Sequence, residues 1–257
     1  MRYGIIMVGA AAQRAMPDHR SEMVNQLLFG EVVAMKTMEG EWMKVVSFPD
    51  HYQGYVMKAH VLEVGEEDPD VILRCCTAHT SGHATAFCVD ASLSPISLPI
   101  GARLHNCTDG LFSLLGHQWR LSGDFLLRDG AHSRDQLVAF AQRFLNVPYL
   151  WGGKTEWGMD CSGFVQVVYR VFGRELPRDA WQQAAVGVEV HHLEEVLPGD
   201  LVFFGKKDEK PSHVGIVLKK GAVIHCSEKV KIDPLDAHGI LSGTTYTHEL
   251  RRIRRPL

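Results

Sequence analysis

A cysteine at the start of an amphipathic stretch is the first candidate for chemistry in this chain. From Phe164 to Phe172 apolar residues recur with helical spacing, and Gly173 follows as a stop signal. This pattern predicts that Cys161 lies in the first turn of a buried helix, where unpaired backbone N–H groups and the helix dipole favour negative charge. We therefore expect a lowered pKa for the Cys161 thiol and a thiolate available at neutral pH, as a nucleophile requires.

Two histidines downstream can serve this nucleophile. His213 and His225 lie in the runs HVGIVL and AVIHCS, which a three-residue KKG loop joins into a predicted β-hairpin. In that register Gly215 faces His225, and His213 lies diagonally from His225 on the same face of the sheet. Diagonal neighbours are about 7–8 Å apart at the backbone, so the two imidazoles can meet. We expect His213 to act as the base and His225 to orient it.

Zinc binding is the alternative function for these side chains, with Cys161, His213, His225 and Cys226 as the four ligands. The sequence contains neither a C-x-x-C pair nor an H-E-x-x-H motif, and adjacent strand residues 225 and 226 point to opposite faces. These features favour the nucleophile, and we expect neither metal ligands nor a cofactor.

Composition divides the chain into two β-rich stretches and a mixed one. Short runs between turn residues predict small barrels at residues 1–64 and 70–128, with the polar segment GEEDPD at 65–70 as linker. We interpret MRYGIIMVGAAA as a first strand rather than a cleaved leader, because glycines interrupt its apolar run. The runs that predict the other strands are EVVAMKTM, WMKVVSF, QGYVMKAHVLEV, VILRCCTA, ATAFCVD, ARLHNCTDG and GLFSLLGHQWRL.

Residues 133–257 are predicted to form an α+β domain, with helices first and an antiparallel sheet after them. The segment SRDQLVAFAQRFLNV has a helical apolar stripe, with Ser133 as N-cap and Pro148 at its end. The Cys161 helix comes next, and DLVFFG, HVGIVL and AVIHCS supply strands.

The charge balance narrows the classes of partner. A net charge of -3 gives no indication of nucleic acid or an anionic membrane surface as partner. No apolar run reaches the roughly 20 residues that span a bilayer. The six cysteines lack the spacing of a dense disulfide scaffold, so we expect reduced thiols.

The string YLWGGKTEWGMDCSGF, followed by HVGIVL and VIHCS, resembles the NlpC family of papain-like bacterial cell-wall peptidases over residues 133–257. The two leading stretches resemble the bacterial SH3-like barrels that precede this domain in γ-D-glutamyl-L-diamino-acid endopeptidases, with RSEMVNQLLFGE and DHYQGYV as weaker support. The resemblance implies a fold with two small all-β SH3-like barrels followed by an α+β papain-like catalytic domain.

The same resemblance implies a cysteine peptidase. It would cut the γ-D-Glu–diamino-acid bond of murein peptides that carry a free N-terminal L-Ala, and would release L-Ala-γ-D-Glu. Cys161 would attack the carbonyl, His213 would be the base and His225 its orienting partner. The Tyr149 hydroxyl would stabilise the oxyanion together with the backbone N–H of Cys161. The alternatives are a non-catalytic module that binds wall peptides, and a papain-like amidase or acyltransferase.

Contacts with the two ends of the substrate also follow from the resemblance. A buried ammonium needs carboxylate partners. Asp160, beside the nucleophile, fits this role, and the resemblance adds Glu22 from the first barrel. Tyr52 would close the pocket, with Tyr55 as the alternative.

The remaining candidates for substrate contact are Trp151, Ser162 and the backbone N–H groups of Asp179 and Ala180, the last two for the D-Glu carboxylate. Ala180 stands where many members have a serine, which weakens the expected recognition of that carboxylate. Cys226 stands where a small residue such as alanine is more usual, and we expect it to be tolerated. We expect a monomer that takes murein peptides in the cytoplasm, with the periplasm as the alternative location.

Overall fold

The computed structural model describes residues 1–65, 68–90 and 92–256. The chain forms two compact units, Met1–Gly130 with Arg170–Glu175, and Ala131–Tyr169 with Leu176–Leu257. Both predicted barrels lie in the first unit, and their boundaries stay a prediction. In the predicted linker, Glu66 and Glu67 lie outside the described residues, and Pro69 already begins a helix.

The first unit begins with a seven-stranded antiparallel sheet in the order β3-β2-β6-β5-β4-β1-β7. The three runs predicted in this stretch are confirmed, except that a 3-10 turn, Lys58–His60, divides QGYVMKAHVLEV into two strands. The predicted first strand, MRYGIIMVGAAA, is also divided, because it contains β1 and the beginning of β2. The strands are β1 Arg2–Ile6, β2 Ala10–Arg14, β3 Met23–Leu28, β4 Val32–Glu39, β5 Trp42–Phe48, β6 Gln53–Met57 and β7 Val61–Gly65.

The rest of the first unit has two smaller antiparallel sheets, in the orders β10-β9-β13-β12 and β11-β8-β14. Rings of Phe112 and Trp119, both buried, stack in its core with centroids 6.2 Å apart. The elements are α1 Pro69–Arg74, β8 Cys76–Thr80, β9 Ala84–Cys88, β10 Ile96–Leu98, β11 Arg103–His105, β12 Leu111–Leu114, β13 His117–Ser122 and β14 Phe125–Leu127.

One strand prediction in this stretch is wrong, because VILR forms the end of helix α1 and only the following residues enter β8. The Asp68 carboxylate caps the helix by accepting a hydrogen bond from the Asp70 N–H at 3.0 Å. Pro69 stands at the first helical position, where its fixed φ favours a helix and its missing N–H costs nothing. These two residues outweigh the strand propensity of Val71 and Ile72.

The second unit contains helices and one large antiparallel sheet, as predicted. Its strands follow the order β17-β23-β18-β19-β20-β21, with β22 paired to β23. The elements are α2 Arg134–Gln142, β15 Lys154–Thr155, β16 Gly158–Met159, α3 Cys161–Val171, α4 Ala180–Gln183, β17 Val188–Glu189, the 3-10 turn Leu193–Glu195, β18 Leu201–Phe204, β19 His213–Lys219, β20 Ala222–Cys226, β21 Val230–Pro234, β22 Gly239–Ser242 and β23 Thr245–Arg255.

Helix α2 begins as predicted and ends earlier than predicted. Ser133 caps it reciprocally with Gln136, whose N–H donates to the serine Oγ at 3.2 Å and whose Oε1 accepts from the serine N–H at 2.8 Å. The helix ends at Gln142, before Pro148, because the following N–H groups bond three residues back. Asn146 then takes a left-handed φ of 70°. No helix in the described part of the chain is long and apolar enough to cross a membrane.

Candidate active site

The predicted nucleophile is the first residue of helix α3, as expected from the sequence. Asp160 caps this helix, because its Oδ1 accepts from the Gly163 N–H at 2.7 Å and its carbonyl oxygen accepts from the Phe164 N–H at 2.9 Å. Gly163 is required here, since a Cβ would lie 2.3 Å from the carbonyl oxygen of Gly153. Cys161 is buried and forms no disulfide.

The two predicted histidines meet on one face of the β19–β20 hairpin. Gly215 pairs with His225, as predicted, and the Nε2 of His213 lies 2.9 Å from the Nδ1 of His225. A Cβ at Gly215 would come within 3.0 Å of the His225 Cβ, so glycine leaves room for the ring. The predicted three-residue loop is wrong: Lys219 belongs to β19, and a bulge between Val217 and Lys219 preserves the predicted pairing.

An aspartate that the sequence analysis missed extends the two histidines to a row of three side chains, His213–His225–Asp233. The Nε2 of His225 lies 3.0 Å from the Oδ2 of Asp233, which is on β21. Lys231 pairs directly with His225, so Asp233 is its diagonal neighbour two residues further on. The diagonal rule that joined His213 to His225 would also have found Asp233, had KVKIDP been recognised as the next strand.

The hydrogen bonds fix which ring nitrogens carry protons. A carboxylate accepts only, so the Nε2 of His225 must donate to Asp233. In the neutral ring the Nδ1 of His225 then accepts, and the Nε2 of His213 must donate to it. The unprotonated nitrogen of His213 is therefore Nδ1, which is left with a lone pair to act as a base.

The thiol lies beside the backbone on both sides of His213. The Sγ of Cys161 is 4.0 Å from the carbonyl oxygen of Ser212, and the N–H of Val214 bonds to the sulfur in its charged form. These contacts bring the nucleophile to the strand position that carries the base.

Tyr149 lies close enough to Cys161 for a negative charge on the ionised thiol to affect the phenol. Its N–H donates to the carbonyl oxygen of Glu228 at 2.9 Å, and its side chain is half-buried. Burial, followed by negative charge at Cys161, raises the pKa of the Tyr149 phenol, which therefore stays protonated and can donate. Its role at the oxyanion stays a prediction.

Comparison with known proteins agrees with this geometry. Residues 146–249 match the model of the NlpC/P60 family, and residues 14–61 match that of the bacterial dipeptidyl-peptidase Sh3 domain. The chain is 30% identical over 244 residues to the γ-D-glutamyl-L-lysine dipeptidyl-peptidase of Bacillus subtilis (strain 168), and the match covers 90% of the chain and 80% of that protein. The chain belongs to the NlpC/P60 family.

Two further matches extend over nearly the whole of this NlpC/P60 protein. Dipeptidyl-peptidase 6 of Lysinibacillus sphaericus is 26% identical over 257 residues, which cover 90% of the chain and 91% of that protein. The crystal structure of an NlpC/P60 family protein from Bacillus cereus ATCC 10987 has the same fold, with a TM-score of 0.79, 21% identity and coverage of 98% and 99% of the two chains. The protein is thus a cysteine peptidase with a papain-like catalytic fold preceded by all-β SH3-like structure.

The thiol of this NlpC/P60 protein is not the preformed thiolate that the sequence predicted. Burial, followed by the negative charge of Asp160, raises the pKa of Cys161 to about 12, although N–H groups of Val214 and Ser162 and the charge of Arg178 act in the opposite direction. Burial also lowers the pKa of His213 well below its ordinary value, and lowers that of His225 to about 4 despite the bond to Asp233. The resting pair is therefore a neutral thiol and a neutral imidazole.

Asp160 has a structural role that the sequence did not reveal. Besides capping the helix, its carboxylate accepts from the Gly152 N–H at 2.9 Å and forms a bidentate ion pair with Arg178, whose Nη1 lies 3.0 Å from Oδ1. Arg178 also donates to the Ser162 Oγ at 2.8 Å, and this hydroxyl donates to Asp160. Asp160 and Ser162, both predicted to contact substrate, therefore already have partners within the chain, and their contact with substrate stays a prediction.

The residues proposed for the D-Glu carboxylate lie at the start of helix α4. Asp179 precedes the helix, and its N–H donates to the Oε1 of Gln182 at 3.1 Å, so this donor is engaged within the chain. Ala180 is buried, while Trp151 is 60% exposed. The substrate contacts of these three residues are likewise still predictions.

Glu22 and Tyr52 belong to the first unit. Glu22 is exposed and directly precedes strand β3, and Tyr52 is half-buried between β5 and β6. The hydroxyl of Tyr55, the alternative to Tyr52, donates to the Oε1 of Glu39 at 2.9 Å. The part that Glu22 and Tyr52 play in substrate binding stays a prediction.

A third histidine packs on the catalytic base. The ring centroid of His248, on β23, lies 4.2 Å from that of His213, with the planes tilted by 31°. His248 and Ser212 line a cavity of about 880 Å³ in the second unit. Charged side chains of both signs, Lys206 and Glu249 among them, line the same cavity. No local sequence pattern points to His248, because only the sheet order brings β23 close to β19.

The zinc alternative is not supported by this arrangement. The ring nitrogens of His225 bond to His213 and Asp233, and the Sγ of Cys226 donates to the Met159 carbonyl oxygen at 3.1 Å. Within the described ranges, the four predicted ligands do not bring three ligand atoms to one point.

Proposed function

We propose that this peptidase hydrolyses the γ-D-Glu–diamino-acid bond of murein peptides that carry a free N-terminal L-Ala, and releases L-Ala-γ-D-Glu. The row of side chains that ends in Asp233 carries the proposal, because it leaves the Nδ1 of His213 unprotonated, and the Cys161 thiol lies 4.0 Å from the carbonyl oxygen of the adjacent Ser212. Two relatives matched over nearly the whole chain are named as dipeptidyl-peptidases, one of them as a γ-D-glutamyl-L-lysine dipeptidyl-peptidase.

The proposed reaction begins from the neutral pair. The sulfur of Cys161 attacks the γ-carbonyl carbon of D-Glu while the Nδ1 of His213 takes the thiol proton. The imidazolium then gives this proton to the nitrogen of the diamino acid, which leaves as a free amine when the C–N bond breaks. A water molecule hydrolyses the thioester, with His213 taking a proton from the water and returning it to the sulfur.

Each partner of His213 has a part in this cycle. His225 accepts from its Nε2–H and Asp233 holds His225, so the imidazolium formed on attack is stabilised through two hydrogen bonds. The developing oxyanion would accept from the Cys161 N–H and the Tyr149 hydroxyl.

The cavity beside the base supports a position for the diamino-acid side of the substrate. A diamino acid carries both amino and carboxylate groups, and Lys206 and Glu249 provide one charge of each sign. At the other end, the requirement for a free amino group rests on the resemblance that assigns Glu22 and Asp160 to an ammonium.

A panel of defined peptides tests the proposal. L-Ala-γ-D-Glu linked to lysine or to diaminopimelate should release the dipeptide, as detected by mass spectrometry, whereas the same peptides acetylated at the amino terminus should be poor substrates. The Cys161→Ala variant supplies the background. Equal cleavage of free and acetylated peptides would remove the amino-terminal specificity, and transfer of the acyl group to an added amine in place of water would make the protein an acyltransferase.

The location and oligomeric state belong to the same proposal. A peptidase that needs free amino termini suits the recycling of imported wall fragments, so we place it in the cytoplasm as a monomer. Cell fractionation and light scattering on the purified chain test these two points, and recovery from the periplasm or a dimer mass would contradict them.

A further inference from the structure

A second group of chemically capable side chains lies in the first unit. Cys88 ends strand β9 and His117 begins strand β13, which pairs with β9, and the turn after β9 contributes Asp90 and Ser92. The Cys88 Sγ lies 2.9 Å from the Oδ1 of Asp90 and 4.0 Å from the Nδ1 of His117. That Nδ1 lies 3.8 Å from the Oδ2 of Asp90 and 3.3 Å from the Ser92 Oγ.

The way these atoms converge distinguishes the group from a second catalytic row. In the row His213–His225–Asp233, His225 uses one ring nitrogen toward each neighbour, and His213 uses only Nε2 and keeps Nδ1 for the reaction. Around His117, sulfur, carboxylate and hydroxyl all gather at the same nitrogen, Nδ1. When several atoms with lone pairs face one point, they form the geometry of a cation site.

The types of donor indicate which cation. Cysteine sulfur, imidazole nitrogen and a carboxylate oxygen together form a usual ligand set for Zn²⁺. In a tetrahedral site, Zn–S bonds of about 2.3 Å and Zn–N bonds of about 2.0–2.1 Å put sulfur and nitrogen roughly 3.5 Å apart. The observed 4.0 Å between Cys88 and His117 differs from this by a small side-chain rotation.

The surroundings of the sulfur agree with this assignment. Cys88 is buried at 8% exposure among the apolar residues of this sheet, yet its sulfur has three polar neighbours. A cysteine that serves only as a small apolar side chain needs none of them.

We propose that Cys88, Asp90 and His117 bind a zinc ion, with a water molecule or the Ser92 hydroxyl as the fourth ligand. On binding, the Cys88 S–H proton is released to solvent and a Zn–S bond forms, with no change in oxidation state. The ion would tie the turn after β9 to the start of β13, as structural zinc sites do in small β-rich units that lack disulfides.

The test uses the full chain with the Cys161→Ala substitution, so that the catalytic thiol contributes no metal binding. After equilibration with Zn²⁺ and removal of free metal, elemental analysis should find one zinc per chain. Co²⁺ in place of zinc should give a sulfur-to-cobalt charge-transfer band, which reports directly on ligation by a thiolate.

Matched variants assign the site. Cys88→Ser and His117→Gln should each weaken zinc binding by about 100-fold or more, since even changes to groups outside the coordination sphere cost about 10- to 100-fold. Cys107→Ser and His83→Gln, the same exchanges elsewhere in this unit, should bind as the parent does. Circular dichroism confirms folding, and His117→Gln carries the test if Cys88→Ser fails to fold. Zinc retention equal in all four variants, or cobalt binding without the charge-transfer band, overturns the proposal.

Discussion

His225 joins the catalytic base to a carboxylate, with its Nδ1 2.9 Å from the Nε2 of His213 and its Nε2 3.0 Å from the Oδ2 of Asp233. Through these two hydrogen bonds, Asp233 determines which ring nitrogen of His213 carries the proton. Asp233 cannot donate, so every proton in the row is directed away from the Nδ1 of His213. Asp233 is a positioning residue, because it acts on the reaction only through the two rings.

Replacement of Asp233 should therefore lower the rate of the chemical step. In Asp233→Ala we expect kcat to fall by roughly 10²-fold, the lower end of what a positioned base contributes, with KM little changed. Loss of the carboxylate should also lower the pKa of His225 further, because the carboxylate opposes the effect of burial on it. The acid limb of the pH profile should therefore shift to lower pH. The exposed Asp135→Asn serves as control. A loss confined to KM or to thermal stability would contradict the positioning role.

Alkylation of Cys161 should reveal a neutral thiol. Because burial raises its pKa to about 12, the thiolate fraction, and with it the rate of reaction with iodoacetamide, should rise about tenfold per pH unit from pH 7 to 10. Mass spectrometry of the Cys161 peptide measures this rate, and Cys161→Ala gives the contribution of the other five cysteines. A rate that reaches a plateau near neutral pH would instead show a thiolate paired with an imidazolium.

Removal of the Tyr149 hydroxyl should affect only the transition state. Tyr149→Phe keeps the ring and loses the donor, so we expect kcat to fall by about 10²–10³-fold with KM nearly unchanged. Tyr3→Phe, at a half-buried tyrosine on strand β1, is the matched control. If Tyr149→Phe retains full activity, oxyanion stabilisation must come from other donors.

Arg178 should be required for stability of the second unit. It is buried and bidentate to Asp160, so Arg178→Ala would leave a carboxylate without its ion-pair partner at the start of the nucleophile helix. We expect a loss of about 3–5 kcal/mol in the free energy of unfolding, measured by urea denaturation. The exposed Arg174→Ala should change it by less than about 0.5 kcal/mol. Equal midpoints for the two variants would contradict the importance of the pair.

The sequence by itself determined the local features of this protein. Helical periodicity placed Cys161 at a helix start, Ser133 supplied the signal for a cap, and strand alternation with the diagonal rule joined His213 to His225. Each of these depends on residues close in the chain or within one hairpin, where backbone geometry alone fixes which side chains meet. The string YLWGGKTEWGMDCSGF around Cys161 then indicated the family.

Only the tertiary structure decided what depends on distant segments. Sheet order brings His248 on β23 against His213, and the packing of the α4 region brings Arg178 to Asp160, although neither contact has a local signal. The pKa of Cys161 is the clearest case, since the helix start favours the thiolate while burial beside Asp160 opposes it more strongly. The effect of desolvation on a pKa depends on all the neighbours of the group in the folded structure, and a sequence pattern does not show which residues those are.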